Sequence, residues 1–340
     1  MSKKDDMMAA LEHRQPERAV PLWELEFHLW DQWSGKHVVL GREFEGLTSA
    51  QQQERALRAN AEIIIEVSQE IGFAAVYVPS SYWEVAPGHL AYYVLPEAAR
   101  WEQIRLLGEL CPPDLLLVGG TGGIISPPSG AGYQEFAYKL YDAPEEIDQW
   151  ARAARDGAVK AGKRLRDLGV KIAVCSADIA DNHGPYFTPA QMQRFVLPYL
   201  HDWGENMRQL GLYSILHTDG MLYPILDDLA NSGIDAIQAI DPIAGMDMAR
   251  TKEMAGNRLC LCGNVDCGLL QFGPPERIYE TVRELIIQCK PGGCFVLGGS
   301  NAIFPEIPKE HYAAMLKAWR DHGSYLPGIE NRKSRIESND

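Results

Sequence analysis

Short apolar runs recur along the chain. Each is separated from the next by a longer stretch in which apolar residues return every three or four positions. The runs at residues 20–23, 73–78, 115–118, 170–175, 212–216, 234–240, 259–262 and 294–297 read as strands. Between them lie segments such as 145–166, where Ile147, Trp150, Ala151 and Ala154 follow helical spacing. Asp142 with Glu145, and Thr188 with Gln191, have the spacing of capping boxes at helix starts. Apolar strands that alternate with helices imply parallel pairing with both sheet faces covered. Eight such units predict an α/β fold, a (β/α)8 TIM barrel. It would be a single domain over residues 1–340 with an N-terminal helical extension, and residues 327–340 would form a loosely packed polar tail. A doubly wound open sheet is the alternative.

The ends of the predicted strands carry the chemistry. The run through residues 212–216 delivers His217 and Asp219, and a glycine follows. Asp178, Asp241 and Asn264 close three other runs in the same way. In a barrel the loops at the carboxyl ends of the strands are free of packing duty, so groups far apart in sequence meet in one mouth. Residues 119–132 begin Gly-Gly-Thr-Gly-Gly after a strand, which invites comparison with a phosphate-cradling loop. The stretch matches neither the dinucleotide fingerprint nor the lysine-containing P-loop, and its two prolines stop a helix from starting at the glycines. A flexible mouth loop is the reading.

Composition narrows the partners. At 340 residues and 46% hydrophobic the chain can bury a sizeable core, and 46 acidic against 32 basic residues give a formal charge of -14. That balance opposes a nucleic-acid surface. The amino terminus lacks the apolar core of a signal peptide, and no stretch approaches the ~20 apolar residues of a membrane span. The expectation is a cytoplasmic protein with no membrane or nucleic-acid partner, a homodimer being allowed for. Its seven cysteines, an odd number mostly within strand-like runs, are expected to stay reduced.

Three constellations could act on a ligand. His217 with Cys260, Cys262 and Cys267 could supply zinc ligands, although free cysteines at strand positions also serve as small buried hydrophobes. Asp178, Asp181, Asn182, His217, Asp219 and Asn264 form a polar set almost without cations. Such a set suits a ligand rich in N–H donors, for example the pyrimidine edge of a pterin, and is poorly suited to an anionic one. Third, the aromatics Trp23, Phe27, Trp30, Trp33, Tyr82, Trp83, Tyr92 and Tyr93 could floor a heterocycle site or fill the core.

Five motifs in chain order carry a resemblance. They are the opening that begins at Leu11 (Leu-Glu-His-Arg-Gln-Pro-Glu-Arg-Ala-Val-Pro-Leu-Trp-Glu); Gly184-Pro-Tyr-Phe-Thr-Pro with Phe195-Val-Leu-Pro-Tyr; His217-Thr-Asp-Gly; Gly263-Asn-Val-Asp; and the closing run Gly292-Gly-Cys-Phe-Val-Leu-Gly-Gly-Ser-Asn. Together they resemble the uroporphyrinogen decarboxylase superfamily over nearly the whole chain. The resemblance implies a (β/α)8 barrel whose members are either uroporphyrinogen decarboxylases or corrinoid-dependent methyltransferases. The decarboxylases hold substrate carboxylates with an arginine-rich stretch where this chain has Trp23-Glu-Leu-Glu-Phe. They also place an essential aspartate where it has Val78-Pro-Ser-Ser-Tyr. The thiol methyltransferases bind zinc through His-x-Cys and a later cysteine; this chain keeps His217 but has Asp219 and Ser300 at the cysteine positions.

What remains resembles the methyltransferases that exchange a methyl group between a methyl-Co(III) corrinoid and N5 of tetrahydrofolate. The resemblance then implies tetrahydrofolate as a substrate, methylcobalamin or a related corrinoid carried by a partner corrinoid protein, and no zinc. Asp178 and Asn264 would hold the pterin edge. His217 and Asp219 would be catalytic, orienting the ring or taking the N5 proton through water. Asp181, Asn182, Glu24 and Ser300 would complete the substrate site. The alternatives are a zinc-dependent methylcorrinoid:thiol methyltransferase using His217, Cys262 and Cys267, and a non-catalytic partner of a corrinoid protein.

Overall fold

Each of the eight apolar runs lies on a strand or on a segment bonded as one. The computed structural model describes residues 2–77, 80–86, 89–128, 130 and 132–326, with the backbone alone for 80–86 and 89–94; the predicted polar tail at 327–340 lies outside the described residues. The strands are β1 (Ala75–Tyr77), β2 (Ser80–Ala86), β3 (His89–Val94), β4 (Leu116–Gly120), β5 (Ile172–Ser176), β6 (Ala180–Asp181), β7 (Gly184–Pro185), β8 (Tyr213–Thr218), β9 (Ala236–Ala239), β10 (Cys260–Val265) and β11 (Phe295–Gly299). The chain divides into two compact units, Leu116–Asn264 and Met1–Leu115 with Val265–Asp340.

In the unit Leu116–Asn264, each long strand pairs in parallel with the next one in sequence. Val118 faces Ile172, Ile172 faces Tyr213, Ile215 faces Ala236, and Ala236 faces Cys260. A doubly wound sheet reverses its strand order at a switch point; this run does not reverse. Nearly every residue of the five strands is buried, as strands covered on both faces require. The predicted helix at 145–166 is Pro144–Asp167, with Ile147, Ala151, Ala158 and Leu165 buried. Its expected cap fails. Asp142 is the last residue of the preceding helix, Gly132–Asp142, so it cannot adopt an extended cap conformation, and Pro144 takes the first helical position instead. The other box forms as expected, with Thr188 accepting from the Gln191 N–H.

The second unit starts with a helix, Lys3–Leu11, capped by a box between Ser2 and Asp5. Its strand-like run at 20–23 is bonded on two sides. Trp23 N–H donates to Leu297 and Leu297 N–H to Pro21 (3.0 and 2.9 Å), while Ala74 N–H donates to Leu22 (2.9 Å). The Leu22–Leu297 bridge is parallel. The antiparallel hairpin of β2 and β3 was not expected from the sequence. Sequential parallel strands with helical connections give the fold class read from the sequence, a (β/α) barrel. No helix among the described residues is long and apolar enough to cross a membrane.

Candidate active site

The loops after β5 and β8 are joined by a short ladder. Ala177 N–H donates to the His217 carbonyl (3.0 Å) and extends the sheet past the end of β5. Ile179 N–H then donates to Thr218 Oγ1 (3.1 Å), Asp219 N–H to Asp178 Oδ1 (3.0 Å), and Met221 N–H to the Asp181 carbonyl (2.8 Å). Gly220 permits the approach. Its φ is +98°, and a Cβ there would lie 2.7–2.8 Å from the backbone atoms of Ala180 and Asp181.

This zipper gathers Asp178, His217 and Asp219. Each offers a potential ligand atom, and the three atoms lie within 4.8 Å of one another. His217 is buried, Asp219 half-buried and Asp178 exposed. On β9, directly opposite His217 in the register, sits Gln238, and its Oε1 is 2.5 Å from His217 Nδ1. An amide oxygen only accepts, so Nδ1 is the donor of this bond, the arrangement in which a neutral ring has its lone pair on Nε2. Gln238 is a partner of His217 that the sequence did not single out. The available signal was a single polar residue in the otherwise apolar strand Ala-Ile-Gln-Ala.

Asn264, next to last in β10, donates from Nδ2 to the Ile240 carbonyl at 2.7 Å, which leaves Oδ1 as an acceptor. The carbonyl is presented by an unusual turn, in which Ala239 and Ile240 both have positive φ (116° and 48°). Non-glycine residues hold such angles at a cost of about 1–2 kcal/mol each, and such strain clusters where a site demands it.

The remaining residues expected at the site divide. Asp181 is occupied as a turn former. Its Oδ1 accepts from His183 and Gly184 N–H (2.7 and 3.2 Å), and these bonds, the His183 one foremost, lower its pKa. Asn182 is exposed on the same turn. Glu24 and Ser300 belong to the other unit and are buried there. Glu24 accepts from Gly299 N–H (2.7 Å) and Tyr312 O–H (2.9 Å), and burial pushes its carboxyl up to about 8. Ser300 Oγ lies 3.6 Å from Cys267 Sγ, whose thiol burial raises to about 11.

The cysteines do not join the carboxylates and histidine. Cys260 and Cys262 are buried, and desolvation drives the Cys260 thiol well above its ordinary value. Among the described residues, the group that brings three metal-capable side chains together contains no sulfur. Two other expectations change. The loop after β4 is packed down rather than loose through its first half: Thr121 N–H donates to Val174, Ile124 and Ile125 are buried, and Gly123 lies against Trp203. Trp23, Phe27 and Trp30 are core residues; Phe27 packs on Trp30, Phe73 and Tyr312 at 4.7–5.3 Å. The side chains of Tyr82, Trp83, Tyr92 and Tyr93 lie outside the described residues. The aromatics beside the acidic loop are Tyr133 and Tyr186, edge-to-face at 6.4 Å and both exposed.

Comparison with known proteins agrees with this architecture. Residues 97–322 match the family model "Uroporphyrinogen decarboxylase (URO-D)". Similar curated proteins include a uroporphyrinogen decarboxylase of Hydrogenovibrio crunogenus, 25% identical over 53% of this chain and 49% of the relative. They also include the methylcobamide:CoM methyltransferase MtaA of Methanosarcina barkeri, 22% identical over 64% of this chain and 61% of the relative. The chain thus spans about half to three fifths of the length of these relatives. A solved structure of a methyltransferase from Methanosarcina mazei superposes with a TM-score of 0.70, at 19% identity, over 94% of this chain and 98% of that one. With two thirds of its length matched by the family model, the chain belongs to the uroporphyrinogen decarboxylase (URO-D) family.

Proposed function

We propose that this chain is a corrinoid-dependent methyltransferase that moves a methyl group between a methyl-Co(III) corrinoid, carried by a partner protein, and N5 of tetrahydrofolate. The observation that carries the reading is the gathering of Asp178, His217 and Asp219, without an arginine or lysine among them, in the unit whose strand β10 carries Asn264. Uroporphyrinogen, a tetracarboxylate, calls for cations. The segment where the decarboxylases have arginines is here Trp23 and Glu24, buried in the core. A methyltransferase is consistent with the relative from M. barkeri and the structural neighbour from M. mazei.

Tetrahydrofolate fits the donor and acceptor pattern. The amino group and ring N–H of its pterin edge match the two oxygens of a carboxylate, Asp178, and Asn264 Oδ1 offers a further acceptor. N5 has its lone pair at neutral pH, so no metal is needed to deprotonate it. In the forward reaction N5 attacks the methyl carbon, the Co–C bond breaks with its electron pair left on cobalt as Co(I), and N5 then sheds its proton. His217, whose Nδ1 faces Gln238 Oε1, takes that proton at Nε2 directly or through water, while Asp219 stabilises the imidazolium. No side chain becomes covalently modified, so most of the rate enhancement comes from positioning. Tetrahydrofolate affinity tests the reading. Asp178→Ala and Asn264→Ala should each weaken binding at least about tenfold, the loss of a charge-assisted or buried hydrogen bond. Unchanged affinity in both would remove the pterin from this pocket.

A further inference from the structure

We infer that Tyr186, braced by Tyr133, is the aromatic surface on which the pterin ring of the methyl acceptor stacks, so that the site reads the face of the heterocycle as well as its edge. The inference rests on the tetrahydrofolate reading above and extends it to two side chains which that reading does not use. A pterin is flat, and hydrogen bonds to its edge alone compete with water at an open mouth. Aromatic cover on a ring face supplies what the edge cannot. The aromatics that the sequence offered for this purpose, Trp23, Phe27 and Trp30, are core residues.

The backbone places Tyr186 beside the acids. Its N–H donates to the Ile179 carbonyl (2.9 Å), one residue from Asp178. This bond continues the β6–β7 ladder, in which Pro185 faces Ala180 and Gly184 faces Asp181. Asp181 fixes the turn between the two strands by accepting from His183 and Gly184 N–H. Thr188 caps the short helix that follows, with Pro189 in its first turn. Tyr186 and Phe187 are therefore the residues between two fixed points. Phe187 anchors the pair: it is buried and packs edge-to-face on Phe136 (6.0 Å), which packs in turn on Trp150 (5.5 Å).

The helix that receives Phe187 also carries Tyr133, one turn before Phe136. Tyr133 and Tyr186 meet edge-to-face, with centroids 6.4 Å apart and planes at 68°. Tyr186 stays 37% exposed and Tyr133 47%, so neither ring is consumed by the core. Burial foremost, then Asp181, Asp178 and Tyr133, raise the Tyr186 pKa, which puts all three groups within electrostatic reach of its hydroxyl. A single exposed tyrosine is ordinary on a protein surface. A braced pair within reach of two carboxylates is the pattern that reads a flat ring rich in N–H donors, its edge on the acid and its face on the aromatic. Because the rings already hold each other, little freedom is lost when a third is laid against them.

The test is anaerobic calorimetry of the full-length protein with tetrahydrofolate and, separately, with 6-methyltetrahydropterin, which keeps the bicyclic ring and lacks the aminobenzoylglutamate tail. The native chain should bind both. Tyr186→Ala should weaken both by about 10- to 100-fold, the usual loss when an aromatic is removed from a stacked base. Tyr133→Ala should weaken both by about two- to tenfold, the worth of the aromatic pair. Tyr186→Phe keeps the ring and should bind within about threefold of the native chain, whereas Tyr186→Leu keeps apolar bulk without the ring and should fall with the alanine variant. Circular dichroism of each variant confirms folding. Native-like affinity in either alanine variant, or leucine serving as well as phenylalanine, would overturn the inference and leave the tetrahydrofolate reading in place. So would a native chain that binds tetrahydrofolate but not the tetrahydropterin, or a loss confined to tetrahydrofolate, because the aromatic contact would then be to the tail. A native chain that binds neither compound would remove the acceptor reading itself, and the stacking surface with it.

Discussion

Replacing Glu24 by glutamine should flatten a pH dependence of stability that this one side chain creates. Glu24 is wholly buried, and two hydrogen bonds from Gly299 N–H and Tyr312 O–H do not compensate for its desolvation, so its carboxyl rises from 4.5 to about 8. At 1.36 kcal/mol per pH unit that displacement corresponds to about 5 kcal/mol between the protonated and ionised forms, an upper bound once relaxation and water entry are allowed. The folded chain keeps the proton between about pH 4.5 and 8, where the unfolded chain has released it. Unfolding therefore releases a proton, and stability falls as pH rises through that window. Below it both states are protonated and the residue contributes nothing; above it both are ionised and the full penalty stands. Glutamine approximates the protonated acid: its oxygen accepts from Gly299 N–H and its amide donates to the Tyr312 hydroxyl oxygen. Melting temperatures of the two proteins measured side by side from pH 4.5 to 9 cancel every other titration. The difference in favour of Glu24→Gln should grow from near zero to a plateau of several degrees above pH 8. A difference that is flat with pH, or that favours the native residue as pH rises, would refute the reasoning by showing an ionised carboxylate in the folded state.

Other consequences concern the site more directly. Gly220→Ala would drive a Cβ into the backbone of Ala180 and Asp181 at an unfavourable φ. It should lower stability by about 2–4 kcal/mol in chemical denaturation, or separate the two loops and abolish folate binding. Gln238→Leu should leave the fold intact and reduce the rate of methyl transfer about 10–100-fold, with little change in folate affinity, because it frees the His217 ring without removing it. Thr218→Val removes the hydroxyl that accepts from Ile179 N–H and orphans that buried donor. It should cost about 1–3 kcal/mol by thermal unfolding.

The strands were legible because burial on both faces turns each into an uninterrupted apolar run, and even the 20–23 segment, held by single bridges, shows that signature. The positions of His217 and Asn264 followed from it, since each is the first polar side chain past an apolar run, and Asp178 comes after Ser176 and Ala177 at the end of a third. What the sequence hides is pairing. Nothing in the local context of Gln238 says that it faces His217; only the parallel register of β8 and β9 does. Glu24 reads as the polar end of a strand, yet its partners Gly299 and Tyr312 lie 275 and 288 residues away, and they make it a core residue. Asp181 reads in the sequence as a site residue, and in the structure its Oδ1 accepts from the N–H groups of His183 and Gly184, as a turn former does. Asp142 failed as a cap because it is itself the last residue of the helix before it, Gly132–Asp142.

The most direct measurement of the proposed chemistry follows the absorbance of methylcobalamin under anaerobic conditions with this protein and tetrahydrofolate, beside a parallel sample containing coenzyme M. Loss of the methyl–cobalt spectrum with folate alone, together with formation of methyltetrahydrofolate and its loss in His217→Gln, is the expected result. Demethylation with the thiol alone, or none with either acceptor when the corrinoid is supplied on its partner protein, would contradict it.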